Sequence, residues 1–99
     1  MRKAYSTEDL KRLLREVFIK NGIKKAIVFG SYAKGCADCR SDLDLCVDTS
    51  LRGLNFISFI EDIRQVLRID PDVVRLSEVV SGSRLEREIK KDGVIIYER

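Results

Sequence analysis

The chain contains no histidine. That absence removes Ser–His and Cys–His nucleophile pairs and every histidine metal site, leaving carboxylates, hydroxyls, cations or a bound metal for any chemistry. Cysteine is scarce too, with Cys36, Cys39 and Cys46 as its three occurrences. An odd count in a chain without a secretion signal argues against a disulfide framework. Cys36-Ala-Asp-Cys39 has the spacing of half a zinc site, but a closed site needs four ligands and only Cys46 is left. A thioredoxin-like motif would sit in a different strand-to-helix context, so Cys36 and Cys39 read as small loop residues. No apolar run approaches the roughly 20 residues of a membrane span. No apolar signal core follows Met1-Arg-Lys-Ala-Tyr5. With no repeat, linker or low-complexity stretch, residues 1–99 read as one cytoplasmic domain.

What is present fits a soluble globular protein: 44% hydrophobic and 35% charged residues. The net charge of +3 is too small to imply nucleic-acid binding. Its distribution is uneven, because residues 1–25 hold eight Lys or Arg against three acids. This is either a solvated helix face or a docking surface for an acidic partner or RNA.

Ser6-Thr-Glu-Asp9 has the form of a capping box, and Leu10, Leu13, Leu14, Val17 and Phe18 follow at helical spacing. Gly22 stops that helix, predicted over 7–21. Lys25-Ala-Ile-Val-Phe29 is a short β-type run ending at Gly30. Leu43, Leu45 and Val47 alternate with Asp42, Asp44 and Cys46, the mark of a strand with two distinct faces. Phe56, Phe59, Ile60, Ile63 and Leu67 predict a helix over 53–68. Pro71 opens a short strand, 72–76, as proline is tolerated there. Ser83 to Glu86 forms a second capping box, for a helix that Gly93 ends, and 93–97 reads as a final strand or extended tail. The order predicts an α/β or α+β fold, a small β-sheet with helices packed on it.

Side chains two apart on a strand point the same way, so Asp42 and Asp44 set two carboxylates side by side while Leu43 and Leu45 bury the other face. Close carboxylates repel, and a divalent cation resolves the conflict; hard oxygen ligands suit Mg²⁺ or Mn²⁺. Asp-x-Asp alone is also what an exposed edge strand carries. The Gly30-Ser31 pair adds weight: a strand turning there into a short helix presents backbone N–H groups and a hydroxyl to an anion. Taken singly, the pair is equally a tight turn with a helix cap. Together, an anion cradle beside two acids is what metal-assisted phosphoryl chemistry requires. Asp72 is the expected third acid, with Asp70, ahead of the proline, as its rival.

These residues carry a resemblance. "GSYAKG" followed by "SDLDL", with "DPDVVRLSEV" and "LEREIKKDGVIIYE" beyond, resembles the minimal nucleotidyltransferases of the polymerase-β-like superfamily over roughly residues 5–98. The resemblance implies a nucleotidyltransferase fold with a mixed sheet. In it Gly30 and Ser31 would hold the triphosphate of ATP, and Asp42, Asp44 and Asp72 would be catalytic and bind two Mg²⁺ (or Mn²⁺). Asp72 would also help deprotonate the acceptor. Relatives often carry Arg where Tyr32 stands and an acid where Arg75 stands; parity points Arg75 away from the site. Lys34 and Arg40 are either solvated or within reach of phosphate.

Larger relatives add helical domains that grip the acceptor, so a chain this short implies an acceptor site supplied by a partner, in a hetero- or homo-oligomer. The resemblance implies that partner as well: minimal nucleotidyltransferases of this kind pair with HEPN-domain toxins and neutralise them by moving AMP onto a tyrosine hydroxyl. The expectation is a protein adenylyltransferase antitoxin, with nucleic acid and membranes disfavoured as partners. Two alternatives stand beside it. One is a regulatory subunit that masks its partner by contact. The other is nucleotidyl transfer to a small molecule or an RNA end.

Overall fold

Ser6 starts the first helix by the exchange its spacing predicts. In the computed structural model, which describes residues 5–35 and 42–99, its Oγ accepts from the Asp9 N–H at 3.0 Å. The Asp9 carboxylate accepts from the Ser6 N–H at 3.1 Å. Those bonds to Ser6, helped by the nearby Arg12, hold the Asp9 carboxyl below its ordinary pKa. The helix, α1, runs Thr7–Lys20 and buries Leu10, Leu14, Val17 and Phe18.

The remaining elements are β1 (Lys25–Phe29), β2 (Leu43–Asp48), α2 (Leu54–Leu67), β3 (Pro71–Arg75), α3 (Arg84–Asp92) and β4 (Val94–Glu98). They follow the predicted order and bounds closely. The four strands form one mixed sheet in the order β3-β2-β1-β4. β1 is antiparallel to β2 and β4, whereas β2 and β3 are parallel, with α2 between them in the chain. A parallel pair needs such a crossover.

Strand parity divides the interior in two. Ala26, Val28, Leu43, Leu45, Val47 and Ile96 meet the apolar stripes of α1 and α2, including Phe18, Phe59, Ile63 and Leu67. On the opposite face Phe29 and Cys46 meet Ile89 of α3, with Ile27, Val74, Val79 and Leu85 around them. Asp44 and Asp72 share this second face, two residues from Cys46 and Val74 respectively.

Some details depart from expectation. Residues 30–35 form a sequence of turns rather than a short helix, with single bonds from Lys34 N–H to the Gly30 carbonyl at 3.2 Å and from Gly35 N–H to that of Tyr32 at 3.3 Å. Gly30 and Gly35 both have positive φ, which interrupts helical geometry before a second turn can propagate. Asp42 immediately precedes β2 instead of lying within it. The second capping box is shifted: Ser83 Oγ accepts from Glu86 N–H, but the Glu86 carboxylate accepts from Gly82. A short 3₁₀ turn, Leu76–Glu78, follows β3 where the sequence pattern shows no helix. Between the two forms open for the C-terminal segment, the structure takes the strand, paired along β1.

Candidate nucleotidyl-transfer site

Register gathers the acids. Because β1 runs against β2 and β3 runs with it, the C-terminal end of β1 lies beside the N-terminal ends of both. Asp44 is the pairing partner of Phe29 on one side and of Asp72 on the other. Gly30 follows Phe29 and Asp42 stands two residues before Asp44, so three neighbouring strand ends bring Gly30, Asp42, Asp44 and Asp72 to one edge.

Gly30 is fitted to this place twice over. Its φ is +73°, a conformation that costs an L-residue roughly 1–2 kcal/mol. A Cβ built there would also collide with the Asp44 carboxylate. The carboxylate thus rests against bare backbone. Ser31 is partly buried beside it.

The electrostatics match the geometry. Burial is the main influence raising the pKa of Asp44 above the ordinary value, and the charges of Asp72, Asp42 and Glu88 act in the same direction. Asp42, Asp44 and Asp72 have no ion-pair partner among the described residues. Nor, among those residues, do three acids or thiols converge closely enough to form a preassembled metal cage. The carboxylates share a field rather than a closed shell. As a donor set they fit a hard divalent cation: oxygen ligands of one charge, no histidine, and Cys46, the one thiol among the described residues, buried.

The other candidates separate cleanly. Asp70 is bound by Arg64 at 2.6 Å and lies before β3, which leaves Asp72 at the edge. Arg75 faces away as parity requires, its guanidinium 4.0 Å from the Phe56 ring and its Nε bonded to the Leu51 carbonyl. Tyr32 is buried in the main core, so that position packs instead of presenting a cation. Cys46 lies on the Asp44 side but is 1% exposed, and burial, with Asp48, pushes its thiol pKa up. It is an inert packing residue. Lys34 is half-exposed and contacts Asp92 at 3.8 Å. Arg40, Cys36 and Cys39 lie outside the described residues. Sequence reasoning misses Glu88, because it reaches Asp44 from α3 and no local spacing marks it.

The model of the family described as Polymerase beta, Nucleotidyltransferase matches residues 11–99. The chain belongs to that family. No protein of curated function matches this nucleotidyltransferase in sequence. Solved structures do resemble it in fold. One is a toxin–antitoxin complex with AMP-PNP (TM-score 0.75, 19% identity, 90% of this chain and 73% of that one). Another is a mutant MntA–HpeT toxin–antitoxin pair (0.70, 20%, 96% and 75%). A third is a tri-AMPylated Shewanella oneidensis HEPN toxin in complex with its MNT antitoxin (0.67, 17%, 90% and 70%). At these identities the likeness establishes a common fold.

Proposed function

We propose that this nucleotidyltransferase is a protein adenylyltransferase antitoxin that moves AMP from ATP to a tyrosine hydroxyl of a HEPN-domain toxin. The observation that carries this reading is the edge itself: Asp44 lies against a side-chain-free Gly30 just past β1 and in register with Asp72 of β3. The fold's occurrence in complexes with AMP-PNP and with an AMPylated HEPN toxin supports the choice of nucleotide and partner.

In this reading Gly30 and Ser31 bind the triphosphate with backbone N–H and hydroxyl. Asp42, Asp44 and Asp72 would hold Mg²⁺ or Mn²⁺, which when bound would neutralise phosphate charge and polarise the α-phosphate. Asp72, exposed near the start of β3, is open to an incoming acceptor and takes its proton. The tyrosine oxygen bonds to the α-phosphorus as the bond to the bridging oxygen breaks, and pyrophosphate leaves.

A second reading, masking by contact without catalysis, is favoured by Leu54 and Ile57, 82% and 60% exposed on α2. Incubation with α-labelled ATP, Mg²⁺ and a HEPN-domain toxin separates the two. The enzyme labels the toxin, and an Asp42→Ala/Asp44→Ala variant does not. Neutralisation that survives the double substitution with no label transferred establishes masking instead.

A further inference from the structure

α2 carries a strip of surface that neither core uses. Phe59, Ile63 and Leu67 turn inward, and Asp62 reaches back to Asn21 and Lys20 at the end of α1. On the other flank Leu54 and Ile57 are exposed and Ile60 is half-buried, and Glu61 and Arg64 continue the line at helical spacing. That flank borders β3, the outermost strand on this side of the sheet. Arg64 bonds Asp70 at 2.6 Å just before β3 begins, and Arg75 at its end lies 4.0 Å from the Phe56 ring. From Leu54 to Arg64 the strip follows β3 for about 15 Å.

Its two ends differ in charge. At the Leu54 end a cavity of ≈ 390 Å³ opens between the loop after β2 and the turn after β3, with Arg52, Arg75 and Glu78 as its charged walls. Arg75 is fixed there by the Phe56 ring, the Leu51 carbonyl and Glu78. Arg52 is exposed and has no ion-pair partner among the described residues, so the cavity keeps an excess positive charge. The Arg64 end reaches Asp70, two residues before Asp72 of the acid edge.

Neighbouring apolar side chains on an exposed helix flank favour an apolar cover, and an excess of arginine beside them favours a carboxylate. In-line displacement also sets the acceptor oxygen opposite the departing pyrophosphate. With the triphosphate beside Gly30 at the end of β1, the acceptor side is β3. We propose that the strip from Arg52 and Arg75 through Leu54 and Ile57 to Asp70 is the docking surface for the toxin. It takes an acidic segment with apolar side chains: a carboxylate enters the Arg52–Arg75 cavity, apolar groups cover Leu54 and Ile57, and the acceptor tyrosine is led on to Asp72. The inference rests on the partner and acceptor named above and adds the surface that holds them.

Biolayer interferometry of the full chain against a HEPN-domain toxin, without nucleotide, tests it. Leu54→Ser/Ile57→Ser is expected to weaken binding about a hundredfold, roughly tenfold for each apolar anchor, chiefly by faster dissociation. Arg52→Glu is expected to slow association about tenfold at low salt, a difference that shrinks as salt rises. Ile95→Ser, at the far edge of the sheet on β4, should bind as wild type. Single Leu54→Gln and Ile57→Gln variants test the same two anchors if the double serine chain misfolds. No toxin binding by the wild type, unchanged binding in the serine or the glutamate variant, or an equal loss in Ile95→Ser overturns the proposal. So does self-association of the chain alone, followed by sedimentation, that the double serine substitution abolishes and the toxin does not displace; the strip is then a contact between copies. The two readings fail separately. Weakened binding in the variants, with no labelling of the toxin by the wild type, sinks the transfer reaction and leaves the docking surface. Labelling by the double serine variant at wild-type KM for the toxin does the reverse.

Discussion

Gly30 and Asp44 form a unit at the scale of single residues, because one supplies the space that the other fills. Gly30→Ala adds a Cβ at φ +73° and against the Asp44 carboxylate. It is expected to cost roughly 1–2 kcal/mol of stability, measured by urea denaturation, and to reduce transfer far more than that loss explains. Wild-type initial rates in a folded Ala variant would show that Asp44 has another place to rest. Asp44→Asn separates charge from shape. The folded state raises the Asp44 pKa, so stability present while the carboxyl is protonated is lost as pH rises through its folded-state value. Without metal at pH 7, the Asn variant should therefore melt at or above the wild-type Tm. Its transfer rate should fall roughly a thousandfold, as expected when several kcal/mol of metal-assisted stabilisation is removed. A clear drop in Tm would show that the carboxylate stabilises the metal-free fold.

The elements differ in what holds them. α1 carries its own start signal, both halves of the Ser6–Asp9 exchange. Ser6→Ala is expected to cost about 1 kcal/mol, seen as a lower urea midpoint with an unchanged slope. α2 begins at Gly53 with no side-chain cap and no acid in its first turn. Its stability comes from Phe59, Ile63 and Leu67, each fully buried. Asn21 joins the two helices by donating to the Val17 carbonyl and the Asp62 carboxylate. Periodicity locates both helices because the apolar stripe that buries them is a local pattern. The shifted second box is not legible in the same way: which backbone N–H Glu86 reaches depends on the turn at Gly82, φ +81°. Spacing alone says nothing of that.

For the whole molecule, both sheet faces are covered, and β1 and β2 each contribute buried residues to both cores. Leu45 is wholly buried in the larger core, next to Asp44 in the chain. Leu45→Ala is expected to cost about 2–5 kcal/mol. Against a typical total near 5–15 kcal/mol, that is enough to lower the thermal transition followed by far-UV circular dichroism substantially. A loss below about 1 kcal/mol would mean the core collapses around the gap. What surrounds the acid edge then depends on how the layers stack, since α3 is placed by Ile89 on Phe29 and Cys46.

The sequence by itself determined α1, α2, α3 and the first three strands, and the parity that puts Asp44 and Cys46 on one face. These are short-range properties, set by periodicity, capping and backbone sterics within a few residues. The tertiary structure alone decided that Asp72, not Asp70, stands in register with Asp44, because that depends on the crossover through α2 and on Arg64 holding Asp70. It also decided that Glu88 of α3 comes near enough to Asp44 to act on its charge. Those neighbours are distant along the chain and meet only because one helix packs across the sheet.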